Sequence, residues 1–177
     1  PPVGDRRWKP PAPTESWRRT KSCRKFGRSA FQRGAGMAEF FDHLVIGLGL
    51  SAPRRKALAV GLRVAPNKQS EDCLTLNVRA PARATGLPVM VWIHGGAFVL
   101  GSSSQPLYGG RRLSAEGDVI VVTINYRLGV FGFLDLSGMG RSRRRFDTNV
   151  GLRDVLAALR WVRDNISAFG GDPGNVT

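Results

Sequence analysis

The stretch Trp92-Ile93-His94-Gly95-Gly96-Ala97-Phe98 is where the sequence comes nearest to specifying a chemistry. An apolar run ends there in a histidine and two adjacent glycines. Glycine takes backbone angles closed to other residues, so it can aim successive N–H groups at one point beyond the end of a strand. Two N–H groups converging in that way can hold a developing oxyanion. A bare Gly-Gly is most often only a turn, whereas the full seven-residue string is far more specific. His94 invites a role as a base, and His43 is the one other histidine. A Ser-His-Asp system therefore has little to draw on within this chain. Ser102, Ser103 and Ser104 follow Gly101, but they lack the closing glycine of G-x-S-x-G, which occurs nowhere in the sequence.

A second segment imitates a different chemistry. Val45-Ile-Gly-Leu-Gly-Leu-Ser-Ala52 fits G-x-G-x-x-A, and Glu71 lies about twenty residues further on, as a dinucleotide fingerprint requires. Arg54 and Arg55 could even receive a 2′-phosphate. The residues before it read as helical, however, and Pro53 stands where the phosphate-binding helix should run. No dinucleotide site is expected.

The glycine string needs elements to position it. Leu74-Thr-Leu-Asn-Val78 alternates like a half-buried strand. Pro88–Ile93 and Val119–Ile124 are nearly continuous apolar runs, which suit strands covered on both faces in a parallel or mixed sheet. A short helix fits between Gly109 and Gly117. A longer helix follows Thr148-Asn149, either of which could cap it. Its apolar stripe is Leu152, Val155, Leu156, Leu159, Val162 and Ile166. Asp154 near its start, and Arg160 and Arg163 near its end, suit the helix dipole. Gly170 and Gly171 can end it, and Asp172-Pro-Gly-Asn175 reads as a turn before another strand. Residues 1–36 read as loop-rich, and 37–66 as a helical insertion carrying His43.

Composition narrows the classes. With 177 residues, 42% of them hydrophobic, the chain can build one core. Two cysteines exclude a disulfide scaffold and a Cys-rich zinc site, and no apolar run is long enough for a membrane span. The net charge of +14 raises the question of a nucleic-acid partner. Residues 1–36 alone hold ten basic and two acidic side chains, so +8 of that charge sits in a fifth of the chain. Aromatic residues are not interleaved with the basic ones as a stacking platform requires, so no nucleic acid is expected.

Five stretches together resemble the N-terminal part of a type-B carboxylesterase, the family that includes the cholinesterases. They are PPVGDRRWKPPAPTESW at 1–17, SEDCLTLNV at 70–78, WIHGGAFVLGS at 92–102, GDVIVVTINYRLGVFGFL at 117–134 and NISAFGGDPGNVT at 165–177. The resemblance implies an α/β class chain: residues 1–177 as the N-terminal part of one α/β-hydrolase domain, with an incomplete mixed sheet, flanking helices and the insertion at 37–66. It also implies hydrolysis of a small-molecule ester through a serine acyl-enzyme, with neither cofactor nor metal. Oxyanion donors map onto Gly95, Gly96 and Ala97, the latter two favoured, which leaves His94 structural. The family's nucleophile stands on a G-E-S-A-G elbow shortly after a GDP-xx-VT stretch. This chain ends at Thr177, just short of it, so the triad is expected from the missing C-terminal part and the fragment alone is expected to be inactive.

The resemblance further implies ion pairs of Arg7 with Glu71 and of Arg127 with Asp172. It often pairs the cysteine at position 73 with one that is here Ala30, so Cys73 is expected to be free. In the family's NxGLxDQ stretch, here Asn149–Val155, the glutamine is Val155. A non-catalytic, cholinesterase-like adhesion or binding protein is the alternative the resemblance leaves open.

Overall fold

The structure, a computed structural model, describes residues 1–14, 17–32, 49, 51–54, 68–139 and 146–177. The insertion expected at 37–66 and the G-x-G-x-x-A segment fall almost wholly outside the described residues. Glu71, the acidic residue that fingerprint would need, is engaged elsewhere. Both its carboxylate oxygens accept from Arg7, at 2.6 Å from Nε and 2.5 Å from Nη2.

Four strands form one mixed sheet: β1 (Leu76–Arg79), β2 (Leu87–Ile93), β3 (Ile120–Ile124) and β4 (Gly171–Val176), in the order β1-β3-β2-β4. β1 runs antiparallel to β3, while β2 is parallel to both β3 and β4. The apolar run of β3 is explained by its place, since all five of its residues are buried. Ile120, Val122 and Ile124 face a core shared with Val89, and with Val162 and Ile166 from the helix that covers this side. Val121 and Thr123 face the other way. There Gly110 sits so close to the Val121 side chain that a Cβ would meet it at 2.7 Å, and Thr123 Oγ1 donates to the Ser103 carbonyl at 3.2 Å.

β2 departs from the expectation of cover on both faces. Val89 is buried, but Met90 and Trp92 on the opposite face remain 36% and 42% exposed, with Trp92 resting against Tyr108 at 5.1 Å between ring centroids. The layer that shields Val121 and Thr123 does not close over β2. The predicted turn at 172–175 is absorbed into β4, where the pairing with β2 shifts register between Leu87 and Val89. Gly174 N–H donates to Asp172 Oδ1 at 2.8 Å, an Asx turn inside the strand.

Among the described residues, the helices α1 (Arg111–Glu116), α2 (Gly129–Phe133) and α3 (Val150–Asn165) flank the sheet. Asn149 precedes α3 at φ 51° and makes no side-chain cap; its carbonyl receives the Leu152 and Arg153 N–H groups instead. The face that α3 buries is not the predicted stripe. Val162 and the following Ile166 are buried and Val155 packs partly, but Leu152 and Leu156 are 45% and 52% exposed. In the first turns the buried residues are Val150, Gly151 and Asp154. Gly151 is pressed against the Phe133 ring and the Arg127 carbonyl, where a Cβ would meet both below 3 Å. The helix is rotated so that Asp154 reaches Arg127, which carries the two leucines outward.

That ion pair corrects the expected partner of Arg127. Arg127 Nε and Nη2 each donate to Asp154 at 2.7 Å, and the backbone N–H of Arg127 adds a third bond at 3.1 Å. Nη2 also donates to the Lys9 carbonyl at 2.9 Å. Asp172 lies on β4, separated from β3 by β2, and its carboxylate is turned to Gly174. Asp154 therefore serves the core and not the helix dipole.

Cys73 and Cys23 are both free, the first buried and the second exposed. Cys73 packs in a cluster with Ala30, Tyr126 and Leu128. Burial, with the nearby Asp154 charge, pushes its thiol up to about 12. The thiolate is the reactive form, so Cys73 is expected to resist alkylation at pH 8 in the folded protein while Cys23 reacts readily. Peptide mapping after iodoacetamide, before and after denaturation without reductant, checks this. A disulfide-linked Cys23–Cys73 peptide would contradict it.

Candidate active site

The loop after β2 leaves the sheet at the carboxyl ends of parallel strands, the edge where open α/β sheets place their ligands. Its backbone is unusual. Gly96 has φ 122°, Ala97 φ 51°, Phe98 φ 63° and Gly101 φ 119°. Positive φ at an alanine and a phenylalanine in succession costs on the order of 1 kcal/mol or more for each. Such strain persists only where surrounding contacts impose it. The turn is closed by the Val99 and Leu100 N–H groups, both donating to the Gly96 carbonyl at 3.0 and 3.1 Å. Gly129 N–H, at the start of α2, holds the Phe98 carbonyl at 2.8 Å. A side chain at Gly96 would meet the Leu100 carbonyl at 2.1 Å.

Two buried side chains orient the peptide units at the head of the loop. Tyr126, from just beyond β3, donates its hydroxyl to the His94 carbonyl at 2.8 Å. His94 Nδ1 lies 3.0 Å from the carbonyl of Gly95. A carbonyl only accepts, so His94 carries its proton on Nδ1. The two rings stack at 4.6 Å between centroids. In a trans peptide the N–H points opposite to the C=O. With the Gly95 carbonyl held by the imidazole, the Gly96 N–H is directed away from it. Among the described residues, neither the Gly96 nor the Ala97 N–H has a hydrogen-bond acceptor. The space that a Cβ on Gly95 would occupy is open. The head of this loop thus offers two adjacent N–H groups to an incoming anion or carbonyl oxygen.

Burial pushes the His94 imidazole below its ordinary value, although its bond to the Gly95 carbonyl works the other way. The unfolded chain protonates this histidine near 6.5, whereas the folded chain does so only at lower pH. Stability conferred by neutral His94 is fully present above that value and is lost as pH falls toward the depressed folded value. A urea midpoint followed from pH 8 to pH 5 is expected to decline on the acid side. In His94→Asn, whose amide can keep the bond to the Gly95 carbonyl, that part of the decline should disappear. An identical acid slope in both proteins would refute the assignment.

The loop's exit is bound to a polar layer. Asn125 Oδ1 accepts the Ser103 N–H at 2.8 Å, and Asn77 Nδ2 donates to Ser103 Oγ at 3.1 Å and to Thr123 Oγ1 at 2.9 Å. Ser102 and Ser104 share a hydroxyl–hydroxyl bond at 2.8 Å. These serines are buried or half-buried supports of the loop. Among the described residues no group of three His, Cys, Asp or Glu side chains could hold a metal ion, and no helix is long and apolar enough to cross a membrane.

The Carboxylesterase family model matches residues 1–177, the whole chain. The chain belongs to the carboxylesterase family. It is 48% identical to the para-nitrobenzyl esterase of Bacillus subtilis (strain 168), over 100% of this chain and 31% of that protein. It is 41% identical to the fumonisin B1 esterase of Sphingopyxis macrogoltabida and 43% identical to liver carboxylesterase 1 of Oryctolagus cuniculus, again over 100% of this chain, and over 29% and 28% of those proteins. Among solved structures, a thermophilic PNB esterase aligns with a TM-score of 0.78 at 46% identity, covering 99% of this chain and 31% of that one. The fold is that of the α/β-hydrolases, with a mixed open sheet and flanking helices. The chain spans about a third or less of the length of each of these relatives.

Within this carboxylesterase chain, Gly95, Gly96 and Ala97 lie together in the loop, Arg7 meets Glu71, and Asp172 stands apart from Arg127. Sequence reasoning missed Tyr126 and Asn125 as supports of the loop, and Gln32, whose carboxamide bonds to the Gly101 backbone. A signal was available for the first two. Thr123, Asn125 and Tyr126 are hydrogen-bonding residues at the end of an otherwise apolar run, and buried polar groups there must find partners.

Proposed function

We propose that the whole protein is a serine carboxylic-ester hydrolase and that this chain supplies its oxyanion loop, with Gly96 and Ala97 as the main donors and Gly95 beside them. The observation that carries the reading is the strained turn at 96–98, with two adjacent N–H groups left without acceptors among the described residues. A serine outside this chain adds to the ester carbonyl carbon, and its proton passes to a base. The carbonyl oxygen becomes an oxyanion held by the loop. The alcohol leaves with the proton, and water repeats the sequence on the acyl-enzyme. Each backbone donor lowers the barrier by about 3 kcal/mol, because it is fixed before charge develops. Arg7, Glu71, Arg127 and Asp154 hold the scaffold. The para-nitrobenzyl, fumonisin B1 and liver relatives carry esterase names, and the loop keeps its N–H groups free; both favour an enzyme over a cholinesterase-like adhesion protein.

The whole protein is expected to hydrolyse p-nitrophenyl butyrate and to be labelled by a fluorophosphonate. The 177-residue chain alone should do neither above a protein blank. A labelled and active 177-residue chain would place the nucleophile within it and overturn this division of roles. A whole protein inert toward esters and the probe would favour the adhesion reading.

A further inference from the structure

Gln32 occupies a position that the ester-hydrolase reading does not use. It lies 69 residues along the chain from Gly101, yet its carboxamide grips that residue on both sides. Gly101 N–H donates to Gln32 Oε1 at 2.8 Å, and Gln32 Nε2 donates to the Gly101 carbonyl at 2.8 Å. Gln32 is itself fixed. Its backbone N–H donates to Gln69 Oε1 at 3.0 Å, and its Nε2 also reaches the Ala30 carbonyl at 3.2 Å. The adjoining Ser29 and Gln69 form a parallel bridge.

The grip matters because of what Gly101 touches. A Cβ on Gly101 would meet His94 Nδ1 at 2.2 Å and the Gly95 carbonyl at 2.6 Å. Gly101 therefore lies flush against the two groups whose hydrogen bond orients the Gly95–Gly96 peptide. Its φ of 119° is open to glycine and strained for other residues, so nothing intrinsic to the chain would hold a side-chain-bearing residue there. Contact passes from the Gln32 carboxamide to the Gly101 backbone, to the His94 ring and Gly95 carbonyl, and so to the Gly96 N–H.

We propose that Gln32 is a positioning residue for the oxyanion loop: by clamping Gly101 it keeps His94 and the Gly95–Gly96 peptide in the geometry that presents the Gly96 N–H. This rests on the reading of Gly96 and Ala97 as oxyanion donors. Gln32 touches no reacting atom, and its effect runs through donor placement alone. Misplacement of a catalytic group by about an ångström is enough to lower a rate by orders of magnitude. Losing the clamp should therefore act on the transition state and spare the ground state.

The test uses the whole enzyme, with Gln32→Met, which keeps the length and loses both bonds, and Gln32→Glu, which keeps the shape and the acceptor. For p-nitrophenyl butyrate, kcat is expected to fall at least about 10-fold in Gln32→Met, and less in Gln32→Glu, with KM within about threefold of the parent. Affinity for a trifluoromethyl ketone, whose tetrahedral adduct places an oxyanion on the same donors, should fall in parallel with kcat. A purely structural role would lower the thermal midpoint and leave both quantities unchanged in the folded enzyme. Wild-type kcat in either variant, or a fall in kcat without weaker ketone binding, overturns the proposal. Gly96→Ala in the same assay separates the two readings. If it is inactive while Gln32→Met is unimpaired, only the clamp is wrong. If it retains full activity, the oxyanion reading itself is wrong.

Discussion

Gly96→Ala is expected to lower kcat of the whole enzyme on p-nitrophenyl butyrate by about 10²–10³-fold, the loss typical of one oxyanion donor, with KM changed far less. The substitution keeps the N–H and adds one methyl group. That group has nowhere to go, since the Leu100 carbonyl stands 2.1 Å from where the Cβ would be and φ is 122°. The Gly96 carbonyl receives the Val99 and Leu100 N–H groups, so moving it unravels the turn that carries Ala97. Both donors shift together. Steady-state kinetics well below the thermal midpoint measure the effect, and fluorophosphonate labelling reports whether the serine still reacts. A variant with parental kcat would show that the oxyanion is held elsewhere.

Asp154→Ala is expected to destabilise the folded protein by about 3–5 kcal/mol, read as a shift of the denaturant midpoint. The Arg127 and Asp154 side chains are 3% and 0% exposed, so removing the carboxylate strands a guanidinium with no water to receive it. The reason the penalty is large is the orphaned charge and not the attraction lost. Replacing both members, as in Arg127→Met with Asp154→Leu, should therefore be much less harmful than Asp154→Ala alone. Equal losses in the single and double variants would mean that the pair itself contributes most of the stability. Asp172→Ala should shift the midpoint little, because among the described residues Asp172 accepts only from Gly174 in its own turn.

The contrast between those two aspartates shows where the sequence is legible and where it is not. Strands β2 and β3 announce themselves as apolar runs; for β3 burial on both sides leaves a mark on every residue, whereas the run of β2 overstates its cover. The glycine loop is legible for a different reason: a turn at φ 122° pressed against the Leu100 carbonyl admits only glycine at position 96. The partner of Arg127 left no such mark. Asp154 and Asp172 are both acidic residues near helix ends, and only the strand order places β4 beyond β2. The same blindness applies to the buried face of α3. Periodicity favoured Leu152 and Leu156, but one buried ion pair and the close seat of Gly151 rotate the helix away from them. Gln32 is less legible still, since a solitary glutamine 69 residues from its partner has no local pattern at all.

Ala97 and Phe98 have a further consequence, seen by comparing them with glycine. A loop with glycine at both positions would reach φ near 51° and 63° without strain. It would also reach many other conformations, each a state in which the donors point elsewhere. A Cβ at each position removes conformations worth about 0.4–1 kcal/mol of chain entropy per residue. That gain is smaller than the strain, so these side chains do not stabilise the fold. They narrow the ensemble instead. Once Tyr126, His94 and Gly129 force the turn into its strained basin, few neighbouring basins remain for it to visit. On the proposed oxyanion reading, the loop is then a selected conformer before an ester arrives, and binding has little ordering left to do.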